Sequence, residues 1–168
     1  MTSECMTDLV VRTGDVPVVG EDVRLQHLWL SLMPYSWRSL AVLGASTGVP
    51  TIEVANSLAR IAWTYTGQPS VVFDMRDLSL RLLKQQVRDM AAQLRGGERV
   101  FIALRSMAEN PTASALAMAS DAVVLCVELG KTDIKSAQKA VAKVGRERFL
   151  GTLVVSPDGK PSPAVDSG

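Results

Sequence analysis

Short apolar runs recur along the chain and alternate with longer segments whose apolar residues repeat at helical spacing. The runs do not alternate polar with apolar residues, which is typical of strands in a sheet that is covered on both faces. The longer segments repeat their apolar residues three, four and seven positions apart, as amphipathic helices do. The strand runs are 40–44, 71–74, 100–104, 122–127 and 150–155, and the helical segments are 21–32, 51–65, 78–94, 111–119 and 133–144.

Strands that alternate with helices predict a parallel sheet with right-handed crossovers. The predicted fold class is therefore α/β: a three-layer sandwich with a mostly parallel central sheet and helices on both faces. Ligands of such sheets bind beyond the C-terminal ends of the strands. The chain is divided into an N-terminal extension (1–20), one α/β domain (21–155) and a disordered tail (156–168), the last because it is rich in Pro, Ser and Gly.

The stretch VLGASTGVPTIEVANSLA has the order strand, glycine-containing turn and helix. A phosphate-binding loop reads G-x-x-x-x-G-K-[ST], in which backbone N–H groups and the lysine bind phosphates and the hydroxyl holds magnesium. Gly44 and Gly48 remain, but Pro50 stands at the second loop glycine, Thr51 at the lysine and Ile52 at the hydroxyl. Proline has no N–H, and losing the lysine removes a fixed charge that phosphoryl transfer needs. An ordinary strand-to-helix turn is the alternative.

A second segment, SVVFDMRDLSL, is an apolar strand followed by an aspartate. It resembles the second nucleotide-site segment of the ParA/MinD-like ATPases. Within them it is most similar to the bacterial tyrosine kinases of capsule and exopolysaccharide synthesis. Asp74 matches the acidic position, and Arg76 and Asp77 match the Asp/Arg-rich stretch after it. The alternative is a strand-end aspartate that caps a turn.

Three more segments carry the same resemblance, which covers about residues 21–155 and implies a P-loop NTPase-like fold. SALAMASDAVVLCVELGKTDIKSAQKAVAKV is similar to the kinases' apolar helix, Ala-Asp, buried strand and Gly-Lys-Thr before a helix. FLGTLVV resembles their next strand. EDVRLQHLWL resembles their oligomerisation helix, because Glu21 and Arg24 match its Glu-x-x-Arg, whereas His27 replaces the next arginine. A surface helix is the alternative for this last segment.

The chain departs from these kinases at each catalytic segment. Their magnesium-binding strand ends in Asp-Thr-Pro-Pro, but this chain reads RVFIALRSM, with Ala103 or Leu104 at the acidic position. The tail lacks their tyrosine cluster. Asp74 is the one charged catalytic group that remains, and one carboxylate does not hold magnesium and position phosphates unaided. The candidates for a displaced positive charge are Arg76, Arg105 and Lys131.

Taken together, the resemblance and the departures imply a pseudo-enzyme without a cofactor. It would act as a scaffold or regulator in polysaccharide synthesis or export. The implied partners are the cytoplasmic region of a membrane chain-length regulator or an active homologous ATPase, and homo-oligomers would form through Glu21 and Arg24. The alternatives are an atypical protein that binds ATP with magnesium, a ParA/MinD-type positioning protein, and a plain globular domain.

The composition of the chain further narrows the possible functions. The net charge is +1 with scattered basic residues, so nucleic acid is not an expected partner. Cys5, Cys126 and the single His27 make neither a disulfide framework nor a metal set. No segment approaches the roughly 20 apolar residues of a membrane span, and the N-terminus lacks a signal-peptide core. The predicted location is cytoplasmic, with peripheral contact at the inner membrane implied by the resemblance. The expected core or interface anchors are Trp29, Trp37 and Trp63.

Overall fold

The computed structural model describes residues 10–12 and 23–155, which form six strands and five α-helices. In chain order they are β1 (Val10–Arg12), α1 (Val23–Leu32), β2 (Ser39–Gly44), α2 (Thr51–Thr66), β3 (Ser70–Asp74), α3 (Leu83–Arg95), β4 (Arg99–Leu104), α4 (Thr112–Ala119), β5 (Ala122–Glu128), α5 (Ile134–Val144) and β6 (Phe149–Val155). Two 3₁₀ turns, Leu80–Leu82 and Arg146–Arg148, precede α3 and β6. The predicted tail, 156–168, and Glu21 lie outside the described residues.

One sheet of order β1-β3-β4-β2-β5-β6 runs through the centre of the described chain. β2 to β6 are mutually parallel, and β1 pairs antiparallel with β3 at one edge. The predicted mostly parallel α/β sandwich is thereby confirmed. β1 was not anticipated, since residues 1–20 were assigned to an N-terminal extension without a strand. A strand of three residues is too short to give a periodic signal.

Helices cover both faces of the sheet because successive strand residues point to opposite sides. Leu40 and Val42 of β2 pack with α1 and α2, whereas Ala41 and Leu43 pack with the layer of α3, α4 and α5. All six residues of β2 are buried. This double coverage explains why the strands read as continuous apolar runs.

The third helix differs from its predicted span, 78–94. A 3₁₀ turn comes first and α3 begins at Leu83, so Leu82 lies outside the helix and is 43% exposed. The buried face of α3 contains Gln86 and Met90, while Val87 is 36% exposed. Leu82 and Val87 are therefore not part of the buried face of α3. Pro111 and Asp133 are likewise N-caps of α4 and α5 and not their first helical residues.

Candidate functional site

The loop 45–50 joins β2 to α2 at the C-terminal edge of the sheet, where the sequence placed it. Gly48 has φ +80°, a left-handed conformation that glycine adopts without strain. The loop folds back over the strand, since a Cβ on Gly44 would lie 3.4 Å from the Cβ of Val49. The N–H of Ala45 donates to the carbonyl of Cys126 at 2.9 Å, which ties the start of the loop to β5. The loop therefore sits between β2 and β5.

Pro50 makes a tight turn at the start of α2. Its φ of −79° and ψ of 67° are those of an inverse γ-turn, and the N–H of Thr51 donates to the carbonyl of Val49 at 2.9 Å. A phosphate-binding helix start leaves its first N–H groups pointing at the anion. Here Pro50 has no N–H and that of Thr51 is already used, so two of those donors are lost.

Thr51 and Ile52 face the interior and not a ligand. Thr51 is fully buried, and its hydroxyl donates to the carbonyl of Leu104 at the end of β4, 2.8 Å away. Ile52 is half-buried and packs against the core shared by α1 and α2. Counted strictly from Gly44, the motif moves every position one residue earlier and puts Pro50 at the lysine and Thr51 at the hydroxyl. In either register the loop has no lysine.

The strand beside the loop also lacks an acidic group. β4 lies directly next to β2, with Leu104 opposite Leu43 and Ala103 opposite Val42. Ala103 and Leu104 are completely buried. A carboxylate at either position would enter the apolar interior, and the strand end offers magnesium no charged ligand. In the described part of the chain, no cluster of three or more His, Cys, Asp or Glu side chains is suited to a metal ion. These residues do not fit a bound ATP with magnesium.

Asp74 and Arg76 form a two-point ion pair at the end of β3. Arg76 Nε and Nη2 each donate to one carboxylate oxygen of Asp74 at 2.8 Å. Burial by itself raises the pKa of Asp74, but the hydrogen bonds and charge of Arg76, with Arg105 nearby, outweigh burial and lower it overall. The carboxyl of Asp74 raises the pKa of Arg76 in return. Asp74 is therefore ionised but already occupied by a cation of its own chain.

We expect this pair to give the protein an acid-dependent loss of stability. Because the folded-state pKa of Asp74 is lowered, its contribution is complete above the ordinary value of 3.8 and disappears as the pH falls through the folded-state value. Melting temperatures of the wild type and Asp74→Asn should converge between about pH 5 and pH 2. A difference that stays constant over that range would contradict the assignment.

Arg105, another candidate for a displaced charge, is also engaged within the chain. Its Nε lies 2.9 Å from Asp77 Oδ1, and its Nη1 lies 3.5 Å from Glu109 Oε2. Asn110, two residues before α4, also holds the loop that carries Arg76, because its Nδ2 donates to the carbonyl of Arg76 at 3.2 Å. At the ends of β3 and β4, both arginines are thus paired with carboxylates of the same chain, Arg76 with Asp74 and Arg105 with Asp77 and Glu109.

Lys131 is the one candidate cation of the three that reaches the loop. A Cβ on Gly48 would lie 3.9 Å from Nζ of Lys131. The hydroxyl of Ser46 in the same loop lies 2.6 Å from that of Thr132, the residue after Lys131. Beside them lies Glu128, the last residue of β5, whose side chain is 4% exposed. Sequence reasoning missed Glu128 by ending its strand at Val127. An acidic residue that closes a buried strand next to this loop was the available signal.

The proposed oligomerisation residues are described only in part. Arg24 is half-buried on α1 and takes part in an interaction within the chain. Two apolar side chains of the same helix face outward, Val23 at 62% and Leu30 at 50% exposed, and Met33, just after the helix, is 50% exposed. Assembly through Glu21 and Arg24 stays a prediction.

Across the described ranges, no helix has the length and apolar character needed to cross a membrane. Cys126 is completely buried, and burial raises the pKa of its thiol to about 12. A thiol so protonated is a poor nucleophile. Cys126 therefore adds no nucleophile to the candidate site.

Comparison with known proteins gives a fold and no family. No protein-family model and no curated protein sequence matches the chain. Among solved structures, the crystal structure of the chimerical protein CapA2B2 is similar, with 12% identity, 82% of each chain covered and a TM-score of 0.59. The E. coli MS115-1 HORMA:CdnC:Trip13 complex matches with 12% identity over 94% of this chain and 62% of that one. Its TM-score of 0.34 is too low to support an argument. The CapA2B2 match supports the α/β fold alone.

Proposed function

We propose that this chain is a degenerate relative of the bacterial tyrosine kinases of the ParA/MinD-like group. In this proposal it has no phosphoryl-transfer activity and serves as a scaffold or regulator of exopolysaccharide or capsule synthesis and export. It would work through protein contacts, with the cytoplasmic region of a membrane chain-length regulator or an active homologous ATPase as partner. The resemblance of the segments from Glu21 to Val155 supports the family and the process.

The observation that carries the loss of catalysis is the start of α2. Pro50 and Thr51 withdraw two donors from the place where phosphates would bind, and the Thr51 side chain is tied to Leu104 O at 2.8 Å. Arg76 occupies the carboxylate of Asp74. Phosphoryl transfer depends almost entirely on positioning and on charge, and here Arg76 neutralises the carboxylate of Asp74.

Isothermal titration calorimetry tests both halves of this proposal. Titration of the full chain with ATP or ADP, with and without magnesium, is expected to give no binding heat at high micromolar protein. The purified cytoplasmic region of a chain-length regulator is expected to bind, with the same affinity whether or not ATP and magnesium are present. Clear nucleotide binding would contradict the first half. Partner binding that requires ATP would contradict the second.

One observation favours the alternative of an atypical ATP-binding protein of the ParA/MinD type. The Lys131 ammonium lies near Gly48, 3.9 Å from where a Cβ on that glycine would be, and would supply a positive charge that the loop itself lacks. In that case ATP with magnesium would raise the melting temperature, by an amount set by the ligand concentration relative to its Kd. The same calorimetric titration distinguishes the two functions, because the alternative function requires a measurable heat of nucleotide binding.

A further inference from the structure

Glu128 is a buried carboxylate with one oxygen in an ion pair and the other without a hydrogen-bond partner in the described part of the chain. Its side chain is 4% exposed, and Oε1 lies 3.6 Å from Lys131 Nζ. Oε2 is buried and has no hydrogen-bond partner among the described residues. An ionised group left in this state inside a protein costs free energy unless a cation or a hydrogen-bond donor lies close by. A cation beside the carboxylate would offset this cost.

Lys131 supplies that cation from the β5–α5 turn. Its side chain is 62% exposed, so the ammonium reaches Glu128 from the solvent side, between the carboxylate and Gly48. The separation of 3.6 Å from Oε1 exceeds the roughly 2.7–2.9 Å of a direct charge-assisted hydrogen bond, so the contact is an ion pair without a tight bond.

The same turn is joined to the loop at a second point. The N–H of Glu128 donates to Thr132 Oγ1 at 3.0 Å, and that hydroxyl is 2.6 Å from Ser46 Oγ. Ser46 belongs to the loop 45–50, and Thr132 follows Lys131 directly. The turn after β5 is thus joined to the loop through a hydroxyl pair, and the Lys131 ammonium lies near Gly48 of the same loop.

We propose that Glu128 forms a cation-binding site for a primary ammonium, which the chain fills with its own Lys131, and that this internal ligand holds the loop 45–50 in place. An anion over the loop would draw Lys131 away and leave the carboxylate of Glu128 buried without a cation. The site therefore takes ammonium groups and opposes phosphates. This assignment does not depend on the partner or the process proposed above.

A double-mutant cycle tests the pairing. Lys131→Met keeps the unbranched chain up to the ε position and removes the ammonium, and Glu128→Gln removes the negative charge with which the ammonium pairs. We expect Lys131→Met to lower the melting temperature by about 5 °C or more, because it leaves a buried carboxylate uncompensated. In the Glu128→Gln background the same change should cost about 1 °C or less, as should Lys135→Met, an exposed control on α5.

Two results would overturn the proposal. One is that Lys131→Met behaves like Lys135→Met, as an exposed lysine with no buried partner would. The other is that Lys131→Met is equally damaging with and without Glu128→Gln, which would assign the loss to packing. If Lys131→Met alone does not fold, recovery of folding in the double variant supports the pairing, and failure of both overturns it.

Chemical rescue tests the ligand class directly. Lys131→Ala should regain melting temperature in ethylammonium chloride, relative to tetramethylammonium chloride at the same ionic strength, since only the former carries N–H donors and fits beside the carboxylate. The double variant Lys131→Ala, Glu128→Gln should show no such difference. Equal effects of the two salts on Lys131→Ala would contradict a primary-ammonium site.

Discussion

Replacing Trp29 by alanine is expected to lower the free energy of unfolding by about 3–5 kcal/mol. Trp29 is completely buried on α1, and its ring meets that of Trp37 edge-on, at a centroid distance of 5.7 Å and an angle of 85°. The Arg99 guanidinium lies 5.4 Å from the Trp29 ring and 4.5 Å from that of Trp37. Alanine would leave a cavity and also remove the contacts that join α1 to the start of β4.

Urea denaturation followed by far-ultraviolet circular dichroism measures this loss without depending on tryptophan fluorescence. Trp63→Ala is the matched control, because Trp63 is 48% exposed on α2 and its truncation should cost about 1 kcal/mol or less. Trp29→Phe should lose less than Trp29→Ala, since it fills part of the volume and removes an indole N–H that has no acceptor among the described residues. Similar losses for Trp29→Ala and Trp63→Ala would contradict the assigned core.

Trp29 and Trp63 also show what the sequence could predict. Composition marked both as anchors, and the helical spacing put Trp29 on the apolar side of α1. Pattern alone does not distinguish a side chain buried in its own domain from one buried against a partner. The structure shows that Trp29 is buried within its own domain, because it packs against Trp37, which in turn packs against Phe101 of β4. Trp63, by contrast, is half-exposed.

The parallel strands were predictable for a physical reason. A strand covered on both faces favours apolar residues at every position, and four runs therefore matched β2 to β5 within one residue. The fifth run matched the edge strand β6 equally well, although only Leu153 and Val155 of that strand are buried. The first strand was missed because Val10–Arg12 owes its position to pairing with β3 and not to a pattern of its own.

The candidate site was predictable only where one segment carries it. The loop, Asp74 and Arg76 each lie within a single strand-to-helix connection, so the sequence found them. The carbonyl of Leu104 that accepts from Thr51 lies 53 residues away along the chain, and Glu128 belongs to another strand. Such partners follow from the order of strands in the sheet, which periodicity does not encode.

Installing a lysine at Thr51 is expected to cost about 3 kcal/mol or more of unfolding free energy. Thr51 is fully buried, and its hydroxyl donates to the Leu104 carbonyl at 2.8 Å. Lysine would bring an unpaired ammonium into that interior and leave the carbonyl without its donor. Pro50→Lys should change stability by about 1 kcal/mol or less, because Pro50 is half-exposed and precedes the first helical residue.

The pair of variants, compared by urea denaturation, shows which position at the start of α2 tolerates a lysine side chain. A large loss for Thr51→Lys alone would mean that Pro50, the lysine position in a count from Gly44, leaves the side chain in solvent, whereas Thr51 directs it into the core. Comparable stability of the two variants would contradict the burial of Thr51. In the first case a single residue accounts for two departures from the motif, because Pro50 lacks a backbone donor and stands where that count places the lysine.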